Sequence, residues 1–394
     1  MKKKFACLAM AMVMVLSLAA CGGKKEEAPA AAPAESGSDS SVSVFKVGTI
    51  GPLSGDAAIY GQAVANSAKI AVDEINAAGG AIQFELQSQD DEADGEKSVN
   101  AYNTLMDWGM QVMVGPTTTG ASIAVSAQAN ADRTFMLTPS ASSVDVIDGK
   151  DNVFQVCFTD PNQGVASADY ISANMAGAKV AVIYRNDDAY SQGIRDTFVS
   201  EAADKGLEVV YEGTFTADTA TDFSVQLTGA QSAGADTVFL PIYYQPASVI
   251  LNQANAMGYE PTFFGVDGMD GILTMEGFDT SLAEGVMLLT PFSADAEDAR
   301  TQTFVKAYQD QFGETPNQFA ADAYDAVYIY AAALEAAGCT ADMSSADICE
   351  ALVGVMTTIS VDGLTGQGMT WDASGAVSKA PMAVIIENGT YVLP

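Results

Sequence analysis

The stretch Val112-Met-Val-Gly-Pro-Thr-Thr-Thr-Gly-Ala-Ser122 places a short apolar run before a glycine-bounded turn and a segment with helical spacing, 122–131. The apolar run is typical of a buried strand. Backbone N–H groups and hydroxyls at the start of a helix favour an anion. The spacing matches the phosphate-loop pattern, except that Ala121 stands at the position of its lysine. The stretch therefore favours a small anionic group over a nucleotide, with an ordinary strand-to-helix turn as the alternative.

Apolar runs of strand length alternate with helical stretches along the chain. A helix in 60–77 is predicted to end at a glycine signal in 76–80, and a helix in 190–206 at Gly206. Such alternation predicts parallel sheets with helices on both faces, and ligands bind beyond the carboxyl ends of their strands. The predicted strands are 44–50, 82–87, 111–114, 134–137, 179–184, 207–211, 236–240 and 262–266.

These units are too many for one sheet of usual size, and the pattern breaks near 157–164, 290–291 and 363–371. The fold class is therefore α/β, with two doubly wound parallel-sheet lobes joined by a three-crossing hinge around a cleft. The predicted domains are a signal peptide (1–20), a lipidated cysteine with a disordered tether (21–43), a first lobe (44–160 with 292–366) and a second lobe (161–291 with 367–394).

The N-terminus predicts export. Three lysines precede a short apolar run, and Leu18-Ala-Ala-Cys21 follows it. This pattern resembles a bacterial lipoprotein signal, in which Cys21 becomes the lipidated first residue, and a plain secretory signal is the weaker alternative. Gly, Ala, Pro, Ser, Glu and Lys dominate 22–43, which is typical of a flexible tether. We expect a protein anchored to the outer face of the cell membrane.

Charge and composition restrict the function classes. The formal charge is −33, and removal of 1–20, which hold three lysines and no acid, leaves −36. Such a surface repels nucleic acid and anionic lipid. The chain has no histidine, so Ser–His and Cys–His catalysis and histidine metal sites are excluded. An acidic stretch, 90–95, lacks the glutamate of a calcium loop at position 101. We therefore expect neither enzyme activity nor a metal or cofactor.

Three cysteines lie in the part expected to fold. Cys339 and Cys349 bracket a polar turn between two helical stretches, so a disulfide is plausible outside the cytoplasm. Cys157 lies between Val156 and Phe158 and is predicted to be a buried free thiol.

Several motifs together resemble the type I periplasmic binding proteins, and most closely the leucine/isoleucine/valine-binding receptors of ABC importers. They occur in the family's order over essentially the whole chain after the tether. They include Val47-Gly-Thr-Ile-Gly-Pro-Leu-Ser-Gly55, Ala71-Val-Asp-Glu-Ile-Asn-Ala-Ala-Gly-Gly80, the turn at 115–122, Leu137-Thr-Pro-Ser-Ala-Ser142, Asp188-Ala-Tyr-Ser-Gln-Gly193 and Phe263-Phe-Gly-Val-Asp-Gly268.

The resemblance implies an amino-acid site between the lobes. The hydroxyls of Thr119 and Ser142 and the backbone of Ser140 and Ala141 would hold the ligand's carboxylate, and Asp267 of the second lobe would accept its ammonium. Many relatives carry the longer glutamate at this last position. Three tyrosines would complete the cage, with Tyr244 as an alternative to the third: Tyr60, Tyr190 and Tyr243. Surface exposure is the competing interpretation for Tyr60 and Tyr190.

The implied function is a monomeric, extracytoplasmic solute-binding lipoprotein that presents an amino acid to a membrane permease after hinge closure. A branched-chain or other aliphatic side chain is expected. The alternatives are a non-amino-acid solute such as a short-chain amide, a urea-like compound or an aromatic acid, a sensory role, and a surface enzyme that uses paired carboxylates.

Overall fold

The computed structural model describes residues 42–394. The predicted signal peptide, Cys21 and most of the tether therefore lie outside the described residues. None of the helices in the described part is both long and apolar enough to cross a bilayer. The first strand begins at Ser43, at the end of the predicted tether.

The first sheet contains five strands in the order β2-β1-β3-β4-β5, and every neighbouring pair is parallel. Its strands are β1 (Ser43–Gly51), β2 (Ile82–Asp90), β3 (Val112–Val114), β4 (Phe135–Thr138) and β5 (Val153–Gln155). β3, β4 and β5 are buried along their whole length, because helices cover both faces of a parallel sheet.

The second sheet contains seven strands in the order β12-β11-β10-β9-β8-β6-β7. Its parallel part is β6 (Lys179–Arg185), β7 (Glu208–Phe215), β8 (Thr237–Leu240), β9 (Thr262–Gly265) and β10 (Met287–Thr290), and β11 (Met382–Glu387) and β12 (Thr390–Val392) follow. The last two strands pair antiparallel, so this sheet is mixed rather than wholly parallel. An antiparallel edge on a parallel sheet is common in large α/β folds.

The described part of the chain contains ten α-helices. They are α1 (Ala58–Ala78), α2 (Gly95–Trp108), α3 (Thr119–Asp132), α4 (Asp160–Asn174), α5 (Ala189–Lys205), α6 (Ser224–Ser232), α7 (Tyr244–Met257), α8 (Ala299–Phe312), α9 (Gln318–Ala337) and α10 (Ser345–Met356). As predicted, α1 and α5 end at glycines in the left-handed region, Gly79 (φ 68°) and Gly206 (φ 71°).

Strand order determines where each sheet can bind a ligand. The order 2-1-3-4-5 of the first sheet reverses between β1 and β3, and the order β7-β6-β8-β9-β10 reverses between β6 and β8. Crevices form beyond the carboxyl ends of the strands at such reversals. The turn after β3 and the turns after β6 and β8 therefore lie where a ligand is expected.

The chain passes between the sheets three times, which confirms the predicted three-crossing fold. The first passage follows β5, the second follows β10, and the third lies between α10 and β11. On the third passage the Trp371 indole donates to the Gln155 carbonyl (2.8 Å), and the Gln155 N–H donates to the Gly375 carbonyl (2.9 Å). Residues 371–377 thus contact the first sheet, and the predicted lobe boundary at 366/367 stays a prediction.

The possible disulfide between Cys339 and Cys349 is not formed in this structure, in which both thiols are free and buried. Cys349 lies within α10, beside Asn152 and Arg133, and α10 packs against β4. The thiol thus faces the first sheet, where tertiary packing, not the turn 340–344, determines its surroundings. The prediction for Cys157 is confirmed: it is a buried free thiol.

Candidate functional site

The turn after β3 is shaped by Gly115. Its φ is 122°, and a Cβ here would lie 2.6 Å from the Ile50 carbonyl oxygen, so only glycine fits without a backbone shift. The close approach to β1 places Thr117, Thr118 and Thr119 at the amino end of α3. The Thr118 hydroxyl is buried and has no hydrogen-bond partner among the described residues. A buried donor without a partner at a helix N-terminus is available to an anion.

The loop after β4 is tied to this turn. The Thr138 hydroxyl donates to the Pro116 carbonyl (2.9 Å) and accepts from the Ala141 N–H (3.0 Å). The Ser140 hydroxyl donates to the Thr117 carbonyl (2.6 Å). These bonds hold two strand ends of the first sheet as one rigid wall that is rich in hydroxyls.

The second sheet contributes one carboxyl group to the site, that of Asp267 just after β9. It is fully buried and accepts a hydrogen bond from the Tyr190 hydroxyl (2.5 Å), which in turn accepts from the Gly268 N–H (3.0 Å). Burial raises the pKa of Asp267 to about 7, although the Tyr190 hydrogen bond opposes the rise. The ionised carboxylate is therefore costly here without a cationic partner.

Tyrosines join the two lobes around this carboxyl. Tyr60 of α1 is buried, donates its hydroxyl to the Gly268 carbonyl and accepts from the Tyr244 N–H (3.2 Å). Its ring meets that of Tyr243 edge to face at 5.4 Å, and the Tyr190 ring lies 4.9 Å from that of Tyr243. Tyr60 and Tyr190 are thus not surface residues, and aromatic rings form one continuous wall between the lobes.

Hydroxyls, tyrosines and Asp267 line one small cavity. Six of the eight predicted ligand contacts line it: Tyr60, Thr119, Ser140, Tyr190, Tyr243 and Asp267. Four lining residues were not predicted: Thr117, Thr118, Gly268 and Phe319. The threonine run was visible in the sequence, whereas nothing near the start of α9 signalled Phe319. Of the two adjacent tyrosines, Tyr243 lines the cavity.

Ala141 and Ser142 do not line the cavity. Ala141 packs among the core side chains of the first lobe. Ser142 is fully buried, and its hydroxyl accepts a hydrogen bond from the Gln163 amide (3.4 Å). The structure thus places both residues behind the hydroxyl wall, and their contact with ligand stays a prediction.

The buried carboxyls make the stability of the ligand-free protein depend on pH. Burial raises the pKa of Asp267 to about 7, and it raises the pKa values of Asp160, Asp270 and Asp322. In the unfolded chain these groups ionise near pH 4. Between pH 4 and the raised pKa values of the native state, the native state holds protons that the unfolded state has released, so the free energy of unfolding falls as pH rises. We expect a melting temperature several degrees lower at pH 8 than at pH 5, measured by calorimetry. A melting temperature that rises over this interval would contradict the assigned burial.

No group of three or more potential metal ligands occurs within residues 42–394. The chemistry of the cavity is therefore that of neutral hydroxyl and N–H donors on one side and a single carboxyl on the other. Such a pair of walls can hold a small molecule with one anionic and one cationic group.

Comparison with known proteins agrees with this geometry. The chain is 32% identical over 318 residues to the Leu/Ile/Val-binding protein homolog 3 of Brucella melitensis. The aligned residues cover 78% of this chain and 82% of that protein. The branched-chain amino acid transporter substrate binding protein LivJ of Streptococcus pneumoniae, solved in complex with isoleucine, is 31% identical with a TM-score of 0.79, over 88% of this chain and 97% of that chain.

A solute binding protein from R. palustris, solved with benzoate, has a TM-score of 0.78 over 89% of this chain and 95% of that chain, but at 22% identity the likeness shows the fold alone. The model of the family described as periplasmic binding protein matches residues 44–390. Members of this family bind solutes outside the cytoplasm, and the family is not a class of enzymes. The chain belongs to the periplasmic binding protein family.

Proposed function

We propose that this protein captures an amino acid, with a branched-chain or other aliphatic side chain, for an ABC importer. The observation that carries the proposal is the pairing across one cavity of a neutral hydroxyl wall with the buried Asp267. Thr117, Thr118 and Thr119 at the amino end of α3 would hold the ligand's carboxylate, and Asp267 would accept its ammonium. Tyr60, Tyr190 and Tyr243 would enclose the rest of the ligand.

Hinge closure is the mechanism we propose. A ligand stabilises the closed form only if it binds that form more tightly than the open one. Contacts to both lobes at once supply this difference, because the hydroxyls come from the first lobe and Asp267 from the second. The closed complex would then be presented to the permease by a monomer anchored through lipid on Cys21.

A thermal-shift screen tests the ligand class. The folded part of the chain would be heated with each amino acid and, separately, with benzoate, short-chain amides and urea. A specific ligand raises the melting temperature by mass action. We expect the largest rise with aliphatic amino acids. A rise with benzoate or an amide, and none with any amino acid, would replace our proposal by a non-amino-acid solute.

Replacing Thr119 by alanine should weaken amino-acid binding by about 10-fold to 100-fold, because a hydrogen bond to a charged group contributes about 1.5–3 kcal/mol. Calorimetric titration measures the change. Thr104→Ala is the matched control, since its exposed hydroxyl on α2 bonds only to the Asn100 carbonyl of its own helix. Unchanged binding in Thr119→Ala would disprove the proposed carboxylate contact.

A further inference from the structure

Gln163 of α4 links the two lobes at the site. Its side chain is fully buried, and both ends of the amide are hydrogen-bonded. The Oε1 atom accepts from the Asp267 N–H (3.1 Å), and the Nε2 atom donates to the Ser142 hydroxyl (3.4 Å). A backbone N–H can only donate, so the oxygen must face Asp267 and the NH₂ group must face Ser142. The amide orientation is therefore determined by its neighbours.

The two partners of Gln163 lie on opposite sides of the cavity: Asp267 lines it, and Ser142 lies behind the hydroxyl wall. Asp267 follows β9 of the second sheet, while Ser142 closes the loop after β4 that also carries Ser140 of the hydroxyl wall. Gln163 lies just after the first passage between the sheets. One buried side chain thus connects the Asp267 backbone to the loop that carries the hydroxyl wall.

The other contacts to Asp267 do not connect it to the loop after β4. Tyr190 binds the carboxyl group of Asp267, and the Asp270 N–H donates to its carbonyl (2.9 Å). The Gln318 amide donates to the same carbonyl (3.4 Å) and to the Leu289 carbonyl (3.2 Å). Only Gln163, among the described residues, joins the Asp267 backbone to the loop after β4. Losing it would leave the Asp267 N–H without its hydrogen-bond acceptor and would remove the side-chain bond from α4 to Ser142. The Asp160 N–H would still donate to the Ser142 carbonyl (2.9 Å) and the Asp270 N–H to the Asp267 carbonyl (2.9 Å), so the loss would loosen the Asp267 backbone without separating the two lobes.

We propose that Gln163 is a positioning residue that sets the separation between the hydroxyl wall and Asp267, and thereby selects α-amino acids over β-amino acids. In an α-amino acid both charged groups are attached to one carbon, and in a β-amino acid they lie one bond further apart. The selectivity part of this proposal rests on the proposed amino-acid binding. The positioning part does not, because it can be measured without ligand.

The test compares Gln163→Met with Gln111→Met. Methionine has nearly the volume of glutamine but lacks the amide. Gln111 is a matched control, because its buried amide also accepts a backbone N–H, that of Lys46 (3.0 Å), and donates to two carbonyls. It lies at the amino end of β3, away from the cavity. Thermal unfolding of both variants establishes that each is folded.

The first readout is amide hydrogen exchange of the peptide containing residues 267–268 in the ligand-free protein. We expect exchange at least about tenfold faster in Gln163→Met and unchanged in Gln111→Met. Equal exchange in the wild-type protein and Gln163→Met would overturn the positioning role, whatever the protein binds.

The second readout is the ratio of the dissociation constants for β-homoleucine and leucine. We expect this ratio to fall about tenfold in Gln163→Met and to stay within twofold of wild type in Gln111→Met. Faster exchange with an unchanged ratio would overturn the role in selection. If the wild-type protein binds no leucine and no other amino acid, the proposed function fails, and with it the selectivity, while the exchange result still decides the positioning role.

Discussion

Asp267→Asn is expected to abolish amino-acid binding for practical purposes, with a loss of at least about 100-fold, while making the ligand-free protein more stable at pH 8. Removing one member of a buried charge pair costs about 2–5 kcal/mol in binding, and each 1.4 kcal/mol is tenfold. Asparagine keeps an acceptor for the Tyr190 hydroxyl but carries no charge to pair with an ammonium group.

The gain in stability has the same origin. Burial raises the pKa of Asp267 to about 7, so at pH 8 the empty site holds an ionised carboxylate in a place that disfavours it. Asparagine removes that cost. We expect the melting temperature of the ligand-free variant to exceed that of the wild-type protein at pH 8, and the difference to shrink toward pH 5, where the aspartate is protonated.

Asp91→Asn is the matched control for the loss of binding. Asp91 is a fully buried carboxyl of the first lobe, accepts a hydroxyl hydrogen bond from Ser98 (2.5 Å), and has a pKa raised by burial. It does not line the cavity. Binding in Asp91→Asn should stay within about threefold of wild type, whereas an equal loss of affinity in both variants would mean that Asp267 has no special role.

Lys379→Met should lower the free energy of unfolding by about 3–5 kcal/mol, because it leaves a buried carboxylate without its cation. The Lys379 ammonium is buried on the third passage between the sheets. It lies 2.5 Å from the Asp322 carboxyl and donates to the Thr365 hydroxyl (2.6 Å). Asp325 lies in the same cluster and accepts a hydrogen bond from the Thr365 N–H (2.9 Å). Burial raises the pKa of Asp325 and the Lys379 charge opposes that rise, so the lysine stabilises this carboxylate as well as that of Asp322.

Urea unfolding of the single and double variants separates loss of the pair from loss of the lysine. In Lys379→Met/Asp322→Leu both charges are replaced by apolar groups, which is often neutral for a buried ion pair. We expect this double variant to recover most of the lost stability. A double variant as unstable as Lys379→Met, or a single variant as stable as wild type, would show that the ion pair does not hold the third passage in place.

Most of the fold follows from features that act locally along the chain. Strands such as β1 and β6 are long apolar runs, and the helices that follow them end at glycines, so their order could be predicted. β5 was not predicted, because its three residues end in the polar Gln155, whereas the equally short β3 is wholly apolar. β10, at 287–290, was also missed. So were β11 and β12, since they follow an irregular passage and pair only with each other and with β10.

The site also contains residues that the sequence could predict and residues that it could not. Thr119 and the tyrosines follow strand ends at the two reversals of strand order, and Asp267 follows the neighbouring strand β9, so a sequence pattern can locate them. The roles of Gln163 and Phe319 depend on partners from distant parts of the chain: Gln163 contacts Asp267, and the Phe319 ring lies 4.7 Å from that of Tyr60. No local pattern encodes such contacts. The same holds for Cys339 and Cys349, because proximity in sequence does not determine which way each thiol faces.

Calorimetric titration with leucine, 4-methylpentanoate and 3-methylbutylamine tests most directly whether the cavity binds a zwitterion. The three share one aliphatic chain, and the last two lack the ammonium group and the carboxylate, respectively. A site with a hydroxyl wall opposite Asp267 should bind leucine and bind each of the other two at least about 100-fold more weakly, because each leaves one buried polar wall unpaired. Binding of 4-methylpentanoate as tight as that of leucine would contradict the role of Asp267 and, with it, the assignment of an amino-acid site.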